Sequence, residues 1–143
     1  KYLVDKVSMI HSVDNVKLAE EINKRFEKAG KVIDVLVEIN IGGEESKHGI
    51  KPEDTIKFIN EINNLKNIKI CGLMTVAPAF VDKEKVRPYF RKMREIFEKV
   101  KESNIENIDM KYLSMGMTND YTVAIEEGAN IVRIGTGIFG TRQ

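Results

Sequence analysis

Residues 114–136 read SMGMTNDYTVAIEEGANIVRIGT, and two apolar runs in this stretch each end in hydroxyl-plus-glycine chemistry. Ser114 and Gly116 close the first run; Gly135, Thr136 and Gly137 close the second. Hydroxyls can donate to an anion, and glycines let backbone N–H groups approach it closely. A helix-like segment from about Asn119 would turn the positive end of its dipole the same way. The pattern reads as a phosphate cradle; the competing reading is that the glycines only make turns. Arg133 lies inside the second run, NIVRIGTGIF, which is otherwise apolar. A guanidinium stays charged in a protein and its desolvation is costly. It needs either a carboxylate partner or a ligand atom at which to aim.

Other polar residues also fall at the ends of apolar runs. Asn40 precedes the loop IGGEESKHG, in which Ser46, Lys47, His48 and Gly49 read more readily as solvated than as lining a site. His11, in IHSVD, either faces the same mouth or is a satisfied structural histidine. No Cys or carboxylate accompanies the two histidines at metal-ligand spacing, and no Ser–His–Asp set is evident. Met74, Met115 and Met117 read first as core fill, the commoner role of methionine.

These residues need elements to position them. Lys6–Val13 reads as a strand, and Asp14 as the N-cap of a helix running to about Ala29 with Gly30 as its stop. Residues 32–41 form a β-branched run, and Pro52 suits the first turn of a helix with Ile56, Ile59, Ile62 and Leu65 inward. Residues 68–76 read as a strand. A helix over about 83–103 follows, its start pushed later by Pro88. A strand over 110–115, a helix over 119–127 and a strand over 130–139 complete the pattern. Strands alternating with helices imply a parallel sheet with right-handed crossovers.

Bulk composition narrows the classes. The chain has 143 residues, 42% hydrophobic and 31% charged, as expected of one globular domain. A net charge of +1 and 7% aromatic residues without tryptophan argue against a nucleic-acid surface. No apolar run approaches the roughly 20 residues of a membrane span. The one cysteine, Cys71, sits in an apolar run, which excludes a disulfide within the chain and suits a reducing, cytoplasmic setting. An open doubly wound sheet and a (β/α) barrel both fit; no G-x-G-x-x-G follows the first strand, which removes the main signature of a dinucleotide-binding sheet. A complete barrel usually needs about 200 residues or more. With five strands, and with Lys1 in place of an initiator Met, the chain reads as part of a longer one.

The blocks IHSVDNVKLAEEIN, VLVEINIGGEESKHGI, ICGLMTVAP and YLSMGMTNDYTVAIEEGANIVRIGTGIFG, in this order, closely resemble the pyridoxal phosphate homeostasis proteins. These are related to the N-terminal barrel of alanine racemases. The resemblance covers essentially the whole chain. It implies an α/β fold, a partial TIM-type (β/α) barrel holding about the last five strands of a fold-type III pyridoxal phosphate barrel, as one incomplete domain over residues 1–143. It implies pyridoxal phosphate as cofactor, with its phosphate at Ser114, Gly116, Gly135 and Thr136 and its pyridine nitrogen facing Arg133. Met115, Asn40 and Met74 join the implied cofactor-binding set. The implied role is cytoplasmic vitamin B6 and amino-acid homeostasis without catalysis.

One departure matters. The family's Schiff-base lysine lies in a VSKTK-like block at the end of the first barrel strand, and no such block occurs here. Lys6, Lys47 and Lys111 have no matching context. The expectation is therefore binding of the cofactor's phosphate end, or of a phosphate or sulfate ion, without the covalent bond. A barrel missing strands would expose sheet edges and an apolar face, so self-association is expected. The alternatives are a racemase-like pyridoxal phosphate enzyme, which would need a tyrosine acid/base from a second domain, and a barrel enzyme acting on a sugar phosphate.

Overall fold

A computed structural model describes residues 4–45 and 48–140. Five parallel strands, β1 (Met9–Val13), β2 (Ile33–Glu38), β3 (Ile68–Met74), β4 (Ile108–Met117) and β5 (Ile131–Arg133), lie side by side in chain order. The helices α1 (Val16–Lys28), α2 (Thr55–Ile62), α3 (Arg87–Glu102) and α4 (Tyr121–Glu126) connect them, and α5 (Thr136–Phe139) follows β5. The result is a curled half-barrel, as the alternation of elements predicts.

The main core lies between the sheet and the helices. Ala19, Ile22 and Phe26 of α1, Phe58, Ile59 and Ile62 of α2, and Phe90, Met93, Phe97 and Val100 of α3 pack on Val35, Val37, Ile70, Leu73, Leu113 and Met115. The three- and four-residue spacings in α3 place one apolar stripe on the sheet. Alternation puts the intervening strand residues on the opposite, concave face, where Leu36, Cys71 and Met74 form a second small cluster with Met9 and Tyr112.

Several boundaries differ from the sequence expectation for identifiable reasons. The N-cap of α1 is Asn15, not Asp14: Asn15 Oδ1 accepts the Leu18 amide at 2.8 Å. Asp14 is engaged elsewhere, its Oδ2 accepting the Gly49 amide at 3.0 Å. The helix expected from Lys83 is split into a 3-10 turn, Lys83–Lys85, and α3 from Arg87, consistent with Pro88 in the first turn. β1 begins at Met9 rather than Lys6, and β4 extends further at both ends than residues 110–115. The run expected as a strand over 130–139 stops at Arg133; Thr136–Phe139 turns into α5, with Ile138 and Phe139 amides bonded to the Gly135 carbonyl at 3.1 and 2.8 Å.

Candidate functional site

The concave face carries one polar layer near the C-terminal ends of the strands. His11 stands on β1, Glu38 on β2, Ser114 on β4 and Arg133 on β5, while β3 contributes Met74 and, just beyond its end, Thr75. Register ties Ser114 to Ile131 and Met117 to Arg133, so the ends of β4 and β5 are neighbours. Beyond them opens a cleft of about 620 Å³, lined by Val76, Ala77, Ala79, Phe80, Met117, Thr118, Asn119, Asp120, Gly135, Thr136, Phe139 and Gly140.

Arg133 has an unusual environment. It is half-buried; Nη2 donates to the Thr75 carbonyl at 2.6 Å, and Nη1 lies 3.2 Å from Met74 Sδ. Its Nε is buried with no hydrogen-bond partner. Among the described residues it has no carboxylate within ion-pair distance, which argues against the simple core ion pair. Burial pulls the guanidinium pKa down, and the more distant charges of Glu38 and Asp120 only partly restore it. Such an arrangement carries an energetic cost, which makes Arg133 a candidate for contact with a ligand.

Ser114 is fully buried, and its Oγ lies 3.3 Å from His11 Nδ1. Burial, and then the charge of Arg133, hold the His11 pKa below the ordinary imidazole value. Burial raises the Glu38 carboxyl pKa, Asp14 adds to this, and His48 and Arg133 oppose it. At the cleft, Gly135 and Thr136 are exposed, and a Cβ built on Gly135 would meet nothing within 4 Å. Their two amides have no hydrogen-bond partner among the described residues, while the next, Gly137 N–H, donates to Thr118 Oγ1 at 3.0 Å. Solvent-facing amides beside a hydroxyl are free to donate to an anion.

The remaining expected residues are placed differently. Gly116 has φ +101°, and a Cβ there would come within 2.6 Å of Ala124 Cβ, so this glycine seats α4 against β4. The Met115 side chain is in the helix-facing core, which leaves only its backbone for the concave side. Asn40 Nδ2 donates to the Glu44 carbonyl at 2.7 Å and closes its own loop. His48 is exposed; Ser46 and Lys47 lie outside the described residues. α4 has six residues from Tyr121, later than the expected Asn119, and Asp120 sits at its cap. The Asp120 Oδ1 accepts the Met117 amide at 2.7 Å, so a carboxylate, not an open dipole, occupies that end. Lys111 pairs with Asp109 at 3.1 Å on the surface.

Sequence reasoning passed over Thr75 and Glu38. Glu38 was available from alternation, because in VLVEIN it shares a face with Leu36. Thr75 acts through its carbonyl, for which side-chain type gives no signal. The Cys71 thiol, fully buried and pushed up to about 11 by burial and by Asp34, is not a nucleophile here.

This geometry has counterparts in known proteins. The alanine racemase N-terminal domain model matches residues 2–143. The pyridoxal phosphate homeostasis protein of Aquifex aeolicus is 50% identical over 143 residues, covering 100% of this chain and 62% of that protein. Its counterpart in Haemophilus influenzae is 36% identical, covering 100% and 60%. PipY of Synechococcus elongatus, solved with PLP bound, superposes with a TM-score of 0.85 at 27% identity, covering 96% of this chain and 63% of PipY. The chain thus spans about three fifths of the length of the curated relatives it matches. A half-barrel whose sequence matches this family model from end to end belongs to the alanine racemase N-terminal domain family, and within it resembles the pyridoxal phosphate homeostasis proteins.

Proposed function

We propose that this chain is one barrel unit that binds pyridoxal phosphate through its phosphate and ring nitrogen, and that it serves cytoplasmic vitamin B6 and amino-acid homeostasis without turning over a substrate. The observation that carries this is Arg133: a half-buried guanidinium on the concave face, lacking a carboxylate partner and keeping an unpaired Nε. The residues fit the cofactor's two polar ends. The unpartnered amides of Gly135 and Thr136, with open space at Gly135, suit a phosphate. Thr136 supplies an exposed hydroxyl, Ser114 a buried one that must turn from His11 toward the phosphate, and Arg133 supplies a cation for the heterocycle. Met74 and Leu36 give the intervening face an apolar floor.

Pyridoxal phosphate supplies an electron sink when its ring nitrogen is protonated. A permanent positive charge beside that nitrogen disfavours its protonation. Arg133 therefore favours holding the cofactor over carbanion chemistry. Thr75 and Met74 orient the guanidinium, and Gly116 lets α4 pack closely enough to fix the end of β4.

Pyridoxamine 5′-phosphate is the informative probe, because it lacks the aldehyde that would react with surface lysines. Saturable binding to the chain is expected, and Thr136→Val should weaken it about tenfold through loss of one hydrogen bond to a charged acceptor. Fluorescence titration reads both. Identical affinity in the variant, or no saturation in the wild type, rejects the phosphate assignment. The same reading includes self-association. Among the described residues β1 and β5 are the end strands of the sheet, and Ile125, Ile138 and Phe139 are exposed near the β5 side. Light scattering should give a mass above the 16.3 kDa of one chain; a monomer at high concentration would reject it.

A further inference from the structure

His11 and Ser114 meet across the concave face rather than along it. Two strands separate β1 from β4, a contour of about 14 Å at ordinary strand spacing. Nevertheless Ser114 Oγ and His11 Nδ1 are 3.3 Å apart, joining residues 103 positions apart in the chain. The curl of the sheet thus brings an imidazole onto the hydroxyl assigned above to a phosphate, and that hydroxyl has no other hydrogen bond among the described residues.

We infer that His11 positions the Ser114 hydroxyl, and that binding of a phosphate monoester at the ends of β4 and β5 is coupled to uptake of one proton by His11 Nδ1. This rests on the proposed phosphate site. In the free chain the Nε2–H tautomer of the neutral imidazole offers Nδ1 as acceptor; in that tautomer the Ser114 O–H donates to Nδ1 and is withheld from an anion. When a phosphoryl oxygen takes that hydrogen bond, Nδ1 is left facing the Oγ lone pairs. One proton from solvent on Nδ1 reverses the contact: the imidazolium donates to Oγ, and the hydroxyl donates to the phosphate. No covalent bond to carbon or phosphorus changes.

The charge that acts on His11 is Arg133 from β5; Glu38, on the same face of β2, acts on Arg133, and β3 presents Met74 and Thr75, which are uncharged. Burial and Arg133 disfavour the charged form of His11 without ligand, and a phosphate dianion hydrogen-bonded to Ser114 favours it. The sign follows. Binding raises the His11 pKa, so affinity rises as pH falls through the window between the free and bound values.

Calorimetric titration of the chain with pyridoxamine 5′-phosphate between about pH 5.5 and 8.5 tests this. The ligand's second phosphate ionisation, near pKa 6, is common to every variant and cancels in comparison. His11→Asn keeps a hydrogen-bonding group that does not titrate. It should bind within about threefold of wild type at pH 8, yet fall roughly fivefold behind at pH 6 because the proton linkage is gone. His11→Phe should bind more weakly at every pH. With only two histidines in the chain, a His48→Gln variant isolates the His11 NMR signal, and saturating ligand should move its titration to higher pH. An unmoved titration, or a His11→Asn pH profile parallel to wild type, overturns the inference while leaving the phosphate site standing. Absence of binding to the wild type at every pH overturns both.

Discussion

Gly72→Ala is expected to remove most of the stability of the sheet, with a loss of about 4 kcal/mol or more. A Cβ on Gly72 would lie 1.9 Å from the Tyr112 carbonyl oxygen and 2.7 Å from its carbon. Both are backbone atoms of the neighbouring strand, so no rotamer change relieves the contact. The cause is visible in the register. Between the pairs Ile70↔Ile108 and Gly72↔Tyr112, β3 advances two residues while β4 advances four. This irregularity brings the Tyr112 carbonyl against Gly72, where only hydrogen fits. A small domain has about 5–15 kcal/mol in total, so the variant should be largely unfolded or should lose pairing between β3 and β4. Denaturant titration by circular dichroism reads the change. Gly135→Ala is the control, because its Cβ would meet open space, and it should stay within about 0.5 kcal/mol of wild type. Equal stability of both variants would mean the two strands are not this close.

The contrast between these two glycines shows what local pattern conveys. Both sit in or beside β-like runs, and nothing nearby in sequence distinguishes them. The order of elements was legible because it rests on periodicity within each element: the stripe Phe90, Met93, Phe97 and Val100 needs no knowledge of the sheet. Boundaries were less legible because neighbours compete. Asp14 and Asn15 are both good N-caps, and the tertiary bond from the Gly49 amide to Asp14 decides between them. Similarly, the β-forming residues of IGTGIF suggested a continued strand, yet the chain turns at Gly135 and closes α5.

The candidate site divides along the same line. Arg133 could be singled out by composition alone, as a charge in an apolar strand. Its holders, the Thr75 carbonyl and Met74 sulfur, lie 58 and 59 positions away and become neighbours only through the order β3-β4-β5. The contact between His11 and Ser114 depends further on how tightly the sheet curls, a property shared by all five strands. The side chains of Met115 and Asn40 turn away from the concave polar layer because alternation and a loop hydrogen bond, respectively, direct them elsewhere.

Arg133→Met should separate binding from stability in a way that few substitutions can. The guanidinium is half-buried, has no ion-pair partner among the described residues, and leaves Nε unsatisfied. Its bond to the Thr75 carbonyl recovers only part of the desolvation penalty. Replacing a buried charge that lacks compensation with an apolar side chain of similar length is commonly neutral or stabilising. The variant is therefore expected to match the wild type or exceed it by about 1 kcal/mol, with Tm unchanged or a few degrees higher. Binding should move the other way. Pyridoxamine 5′-phosphate loses its partner at the ring nitrogen, and at about 1.5–3 kcal/mol for a charge-assisted bond its affinity should fall roughly 10–100-fold. Inorganic phosphate, which has no ring, should weaken by less than about threefold if the phosphate sits at Gly135 and Thr136, apart from the guanidinium. Arg133→Lys should fall between, keeping the charge without the planar fork that Thr75 and Met74 now orient. Parallel melting curves and ligand titrations decide the matter: a Tm lower by several degrees with ligand affinity intact would make Arg133 a structural clamp across β3 and β5, and would remove the strongest support for a cofactor on this face.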